Sequence, residues 1–326
     1  MRLTVGVPVY NKGEWVRECF DSILAQKYDD YEILLWDDGS TDNSGEICDE
    51  YAKRFSEKIR VIHADNKGPL IARHSIMKEA KGDYLYFIDA DDELTDRDFF
   101  KEVFETIDKT GADVVAFRFC GYDVSIPPRL TKADIIRYIS ENKMSYSLCD
   151  KVFSRILFDK NADYSAYIGM KLGEDLMQLL DILKDARETV YIDKEYYRYR
   201  TVDNSSIHRF DWRYYDSVEA IRRKLMEYLD YCISNGSVDG AEKTELIEKI
   251  DVFTLANVTS LARKVKWVKG EGKRKVKKNY LEMIYGSSEF QETRHLVGKL
   301  PLKRRLVVHA LDRKMYLLMM IAFKFF

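Results

Sequence analysis

The stretch YLYFIDADDEL, from Tyr84 to Leu94, carries an apolar strand directly into Asp89, Asp91, Asp92 and Glu93. Carboxylates at such spacing repel one another, and taking any of them out of water is costly unless a cation or several hydrogen bonds compensate. A turn or a helix cap needs one Asp, so the cluster asks for another use. If extended backbone continues through the motif, Asp89 and Asp91 point to the same side. Two carboxylates, with water or phosphate oxygens in the remaining positions, suit Mg²⁺ or Mn²⁺ better than an all-protein calcium cage. Such a cation bridges a diphosphate and stabilises the charge that builds on it as it leaves.

The elements that must position this cluster repeat a simple beat. Strand-like runs at 3–9, 31–37, 59–65, 83–90 and 112–119 alternate with helical patterns over 14–26, 43–55, 69–81 and 97–109. The strands are nearly all apolar, which predicts a parallel sheet covered on both faces. Right-handed crossovers then bring the strand C-terminal ends to one edge, where ligands of open α/β sheets bind. At those ends lie Pro8, Tyr10 and Asn11, then DDGSTD, then DNKG, then DADDE. A chance rim would mix lysine and glutamate; one dominated by aspartate reads as a site. Past residue 121 the pattern loosens into a short helix near 131–140, the segment SLCDKVFSRILF, a helix in GEDLMQLLDILKDA and a strand over 189–200. From Asp211 onward the spacing is wholly helical, which sets a boundary near 210 between a domain of residues 1–210 and a helical region of 211–326.

Composition narrows the function classes. With 326 residues, 46% of them hydrophobic, the chain has material for one large domain plus an appendage, or for two domains. A formal charge of −2 argues against a general nucleic-acid binder. Five cysteines without a C-x-x-C spacing suggest neither a disulfide framework nor a zinc site, and fit a reducing cytoplasm. The first residues read as a strand rather than a leader, and no run reaches the roughly 18–20 apolar residues that cross a bilayer. A dehydrogenase would need G-x-G-x-x-G after the first strand, where this chain has VPVYNKGEW. An aspartyl-phosphate enzyme would carry its D-x-D on the first strand with a Thr soon after, which is also not the case here.

Five motifs in order, VPVYN, DDGSTDNS, N-x-G followed by AR, GDYLYFIDADD and a later GED, resemble those of the family 2 glycosyltransferases over about the first 205 residues. The resemblance implies the GT-A nucleotide-diphospho-sugar transferase fold, a Rossmann-like and mostly parallel sheet between helices. It also implies inverting transfer from a nucleotide donor, most often a UDP-sugar, with a divalent metal. On that basis Pro8 and Tyr10 are similar to the backbone and aromatic wall of the base pocket, with Asn11 beside them. Asp38 resembles the carboxylate that accepts the ring N–H of uracil, a donor cytosine lacks, and Asp37 serves a turn or a cap. Arg73 resembles the arginine approaching the base or phosphates. His74 stands where many members have Asn and is expected to be a partly buried structural histidine.

The resemblance further implies that Asp89 and Ala90 lie near the ribose and the nucleotide sugar. Asp91 would hold the metal with Asp89, while Asp92 either assists or caps the next helix. Glu174 and Asp175 match the ED pair at the start of a helix beneath the acceptor. An inverting displacement needs a carboxylate opposite the leaving group to take the acceptor's proton. Asp175 is that base, and Glu174 either shares the role or favours the helix dipole. Lys151 lies near the donor sugar or the acceptor, or on the surface. The segment YRYRTVDNSSIH offers Arg198, Arg200 and His208 to neutralise the diphosphate, and strand alternation puts the two arginines on one face.

Basic residues gather late in the chain. Residues 263–278 carry nine Lys or Arg against Glu271, and PLKRRLVVHALDRKMYLLMMIAFKFF adds six against Asp312. In a single helix Val307, Leu311, Met315, Leu318, Ala322 and Phe325 would form one apolar stripe. Such a helix suits the headgroup layer of an anionic membrane, or packs on its own domain or on a second subunit as a homo-oligomer. Nucleic acid fits less well, because stacking aromatics are absent. A membrane location suits a lipid-linked glycan acceptor and a peripheral place on the inner face. The competing reading is a scaffold or partner subunit that keeps this fold without turnover.

Overall fold

The computed structural model describes residues 1–121, 125–200 and 210–323. The chain divides into two compact units. The first comprises 1–131, 143–169 and 174–200, and the second 132–142, 170–173 and 201–326.

Among the described residues, ten strands lie in the first unit: β1 (Leu3–Val9), β2 (Tyr31–Asp37), β3 (Ile59–His63), β4 (Tyr84–Phe87), β5 (Glu93–Leu94), β6 (Val114–Arg118), β7 (Arg129–Leu130), β8 (Lys151–Ser154), β9 (Thr189–Glu195) and β10 (Tyr197–Arg198). Eight of them form one sheet in the order β3-β2-β1-β4-β8-β6-β9-β7. β1 runs parallel to both β2 and β4, with Val5 opposite Ile33 and Tyr86. Six of the seven residues in each of β1 and β2 are buried, the signature of strands covered on both faces. Helices α1 (Val16–Leu24), α2 (Ser44–Arg54), α3 (Pro69–Glu79) and α4 (Phe99–Thr110) follow successive strands as the apolar periodicity predicts.

Two glycines let the sheet be approached closely. A Cβ on Gly6 would meet Ile76 of α3 at 2.5 Å, and one on Gly82 would meet the Leu3 and Thr4 backbone at 2.5 Å.

Two strand expectations change. β8 lies within SLCDKVFSRILF and is wedged antiparallel between β4 and β6, so the sheet is mixed. The run at 189–200 is not one strand. It breaks at Tyr196, leaving β9 parallel to β6 while β10 pairs antiparallel with β5 in a separate two-stranded ribbon.

In the second unit, α5 (Lys132–Ser140) joins α7 (Tyr214–Ser234), α8 (Lys243–Arg263), α9 (Lys273–Gly286), α10 (Ser288–Thr293), α11 (Leu302–Asp312) and α12 (Tyr316–Ala322); α6 (Glu174–Leu183) belongs to the first unit. A single cut near 210 therefore misses α5. It buries Ala133, Ile135, Ile136 and Ile139, packs on α8, and its Arg137 donates to Glu242 and Glu245 at 3.0 Å each. Tyr214, Leu255, Val258, Tyr280, Ile284, Val308 and Leu311 contribute to this unit's core.

The C-terminal stripe is also divided. Lys314, with φ +54°, separates α11 from α12, so Val307 and Leu311 enter the core while Met315 and Leu318 are exposed. Phe325 lies outside the described residues. Among those described, no helix is long and apolar enough to cross a membrane.

Candidate active site

The acidic motif is a turn. β4 ends at Phe87, and the Asp92 N–H donates to the Asp89 carbonyl at 3.0 Å. Strand alternation stops before the motif, so it does not place Asp89 and Asp91 on one side; each carboxylate has its own cationic partner. Asp89 accepts from Arg73 at 2.8 Å, and Asp91 is ion-paired with Lys12.

Arg73 also donates to Asp175 at 2.6 Å. With 4% exposure it is an internal bridge, not a side chain displayed to a base or phosphate as its motif implied. Burial opposes its charge, but Asp175 and Asp89 hold the guanidinium well above its ordinary range. Gly68, with φ +86°, precedes Pro69 at the start of α3, and the Gln178 amide of α6 donates to the Leu70 carbonyl at 2.9 Å. These contacts hold α3 and α6 so that Arg73 and Asp175 meet.

Asp92 turns inward. It is buried, accepts from the Tyr197 hydroxyl and, at 2.7 Å, from the Arg200 N–H, and thus anchors the end of β10. Burial and the charge of Asp89 push its carboxyl up to about 7. Ala90 is buried in the same turn, so its side chain lines no open wall. Arg200 donates from Nε to the Asp91 carbonyl at 3.0 Å and from Nη2 to Glu18 at 2.5 Å, with its guanidinium 4.4 Å from the Trp15 ring centre. Arg198 donates to Glu93 at 2.7 Å, and Arg200 lies 3.7 Å from the same Glu93 oxygen, so the two arginines share a side. His208 lies outside the described residues.

Beside this turn, the loops after β1 and β2 are stitched together. Pro8 is half-buried, and Tyr10 is 47% exposed. Asn11 adopts φ +51°, which its short polar side chain tolerates, and its oxygen accepts the Thr41 N–H at 2.8 Å. The Lys12 N–H donates to Ser44 Oγ at 2.7 Å. Asp38 is buried and accepts the N–H groups of Lys67 at 3.0 Å and Gly68 at 2.8 Å, holding the loop that leads to α3. Each of its oxygens can accept a further bond. Burial raises its carboxyl above the usual range. Asp37 is the turn residue expected, accepting the Ser40 N–H at 3.0 Å and pairing with His63 at 2.8 Å.

Asp175 stands at the start of α6. Burial raises its carboxyl although Arg73 opposes the shift, and burial together with Asp175 raises Glu174. One Asp175 oxygen faces Arg73; the other accepts the Leu148 N–H at a long 3.4 Å. Lys151, expected near the donor sugar or acceptor or on the surface, is fully buried. Its ammonium donates to Asp150 at 2.6 Å and to the carbonyls of Ser145 at 2.9 Å and Ser147 at 2.8 Å, bracing the loop beside Asp175. His74 is the structural histidine expected: buried, edge-on to Tyr164 at 5.0 Å, and lowered in pKa by burial and then by Lys78.

Sequence reasoning missed Lys12, Trp15, Glu18 and Tyr197. Lys12 sat in view next to Asn11, but 79 residues separate it from Asp91 and no spacing rule joins them. Tyr197 was one aromatic among several in EYYRYR.

Among the described residues, no three His, Cys, Asp or Glu side chains gather as a metal site made by protein alone. Asp89 and Asp91 each commit one oxygen to a cationic side chain, which leaves hard oxygen donors on both. That donor set fits Mg²⁺ or Mn²⁺ taking its remaining ligands from phosphate and water, and does not fit a protein-only cage.

A mostly parallel sheet with an acidic turn at its carboxyl edge is the architecture of nucleotide-sugar transferases, and a model of Glycosyl transferase family 2 matches residues 4–167; the chain belongs to that family. The match includes Arg73 and the acidic turn and stops short of Asp175. The glycosyltransferase GlyG of Streptococcus pneumoniae is 40% identical over 124 residues, which are 38% of this chain and 40% of that protein, so the chain spans about two fifths of the length of this relative. S. aureus TarS 1–349, solved in complex with UDP-GlcNAc, superposes with a TM-score of 0.67 over 97% of this chain and 88% of that one, at 21% identity. The mannosyltransferase PcManGT from Pyrobaculum calidifontis, solved with GDP-Man and Mn²⁺, does so with a TM-score of 0.53 over 98% and 86%, at 15% identity. The fold is GT-A, followed by a helical C-terminal region.

Proposed function

We propose that this chain transfers a sugar from a UDP-sugar to a hydroxyl of a lipid-linked glycan, with inversion at the anomeric carbon. The observation that carries this reading is the Arg73 bridge. One guanidinium holds Asp89 of the acidic turn at 2.8 Å and Asp175 of α6 at 2.6 Å, tying a donor-side carboxylate to an acceptor-side one. UDP-GlcNAc in TarS, which shares the fold, supports a uridine donor.

In this reading the uracil lies against Pro8, Tyr10 and Asn11, with its ring N–H directed to Asp38, and the ribose lies by Asp89 and Ala90. Asp91 and Asp89 would hold Mg²⁺ or Mn²⁺, which when bound neutralises charge gathering on the departing diphosphate. Arg200, fixed over the turn, adds positive charge there, and His208 is assigned the same part from its motif. The Asp175 oxygen facing Leu148 takes the acceptor hydroxyl's proton. The acceptor oxygen forms its bond to the anomeric carbon as the bond from that carbon to the diphosphate breaks, and UDP leaves with the electron pair. The first unit is the catalytic one, and the basic, apolar surface of α11 and α12 meets an anionic membrane on its inner face.

The test is UDP release from a panel of UDP-sugars with a lipid-linked acceptor, in Mn²⁺ and again with chelator. Metal-dependent release with one donor is expected. No release with any donor would favour the scaffold reading.

A further inference from the structure

A cavity of ≈ 700 Å³ opens in the helical unit, within the range of about 300–1,000 Å³ typical of small-molecule sites. Its inner wall is apolar, with Val307, Met319 and Phe323 buried, while Leu306, Leu318 and Met315 at its mouth are 57%, 56% and 39% exposed. Arg263, Lys303, Arg304 and Arg313 line the same hollow, and no Asp or Glu is among its lining residues.

Arg304 is held half-buried by neutral acceptors. It donates to the Ala256 carbonyl and to the hydroxyls of Thr259 at 3.1 Å and Ser260 at 3.2 Å. Burial, and then the neighbouring charge of Arg263, pull its pKa down. Among the described residues neither Arg304 nor Arg313 makes an ion pair with a carboxylate. Positive charge desolvated beside like charge is costly until an anion arrives. A bare phosphate would answer the cations and leave the apolar hollow wet; a neutral lipid would do the reverse.

We propose that this cavity binds one anionic membrane lipid, its phosphate against Arg304 and Arg313 and an acyl chain against Val307, Met319 and Phe323. This rests on the reading of α11 and α12 as a membrane-facing surface, and names the ligand that surface selects.

The experiment titrates the full chain with dihexanoyl phosphatidic acid below its micelle concentration, so that no bilayer is present, and reads binding by calorimetry. Saturable one-to-one binding is expected. Dihexanoyl phosphatidylcholine should bind about fivefold more weakly or worse, and Arg313→Ala should weaken phosphatidic acid by about fivefold. Leu318→Glu, at an exposed position, should abolish binding without moving the melting temperature. No saturable binding, unchanged binding by Leu318→Glu, or inorganic phosphate binding as tightly as the lipid would each overturn the proposal. Flotation with phosphatidylglycerol vesicles separates the two readings. Flotation without phosphatidic acid binding removes the cavity and leaves the membrane surface standing. Binding without flotation keeps the lipid site and removes the membrane surface.

Discussion

In the proposed reaction Asp175 takes a proton from the acceptor hydroxyl, and its carboxyl is pulled both ways. Burial raises its pKa and Arg73 restrains the rise. Replacing it with Asn keeps the shape and removes the basic oxygen, so Asp175→Asn should lower kcat by about 10²–10⁴ while calorimetry finds UDP affinity unchanged. In that proposed role Asp175 acts only when deprotonated, so the rate of the native enzyme should fall as pH drops through its pKa. That acid limb should lie above the ordinary Asp range; a limb at or below that range would count against Asp175. Lys151 works one step behind, through the loop it braces. Lys151→Met strands Asp150 without its cation and should cost about 3–5 kcal/mol in denaturant unfolding, with Lys151→Met/Asp150→Asn recovering much of the loss.

Elements meet most closely where glycine stands. Gly82→Ala would push a methyl group into the Leu3 backbone, and since main chain cannot rotate away, about 1–3 kcal/mol should be lost, read as a lower melting temperature. How much of the architecture the sequence reveals follows from what is local. β1, β2, α1 and α4 announce themselves, because near-continuous apolar runs in the strands and three-to-four apolar spacing in the helices are written within each segment. β8 does not: it is four residues long, and its antiparallel place between β4 and β6 depends on partners far off in the chain, none nearer than Tyr86 to Val152 and Ala116 to Lys151. The candidate site divides in the same way. Asp38, Asp89, Asp91 and Asp175 are visible as motif residues. The ion pairs of Lys12 and Arg73, and the hydroxyl of Tyr197 on Asp92, arise only when distant loops meet.

At the scale of the molecule, a nearly neutral chain concentrates exposed apolar side chains beside basic ones near its end. Leu302, Leu317 and Ile321 are 70%, 65% and 51% exposed and lie outside the lining of the cavity. Changing all three to Ser should weaken flotation with anionic vesicles by about tenfold or more while leaving the melting temperature in place. Unchanged flotation would point to a protein partner instead. Removing α11 and α12 outright would be a poorer probe, since Val308 and Leu311 belong to the core. The chain passes between its two units at 131/132, 142/143, 169/170, 173/174 and 200/201. Exchange of C-terminal parts among relatives is therefore not a matter of one splice near residue 210. A graft that imports new helices must import a matching 132–140 as well, or the isoleucine face of α5 loses the surface it was shaped for.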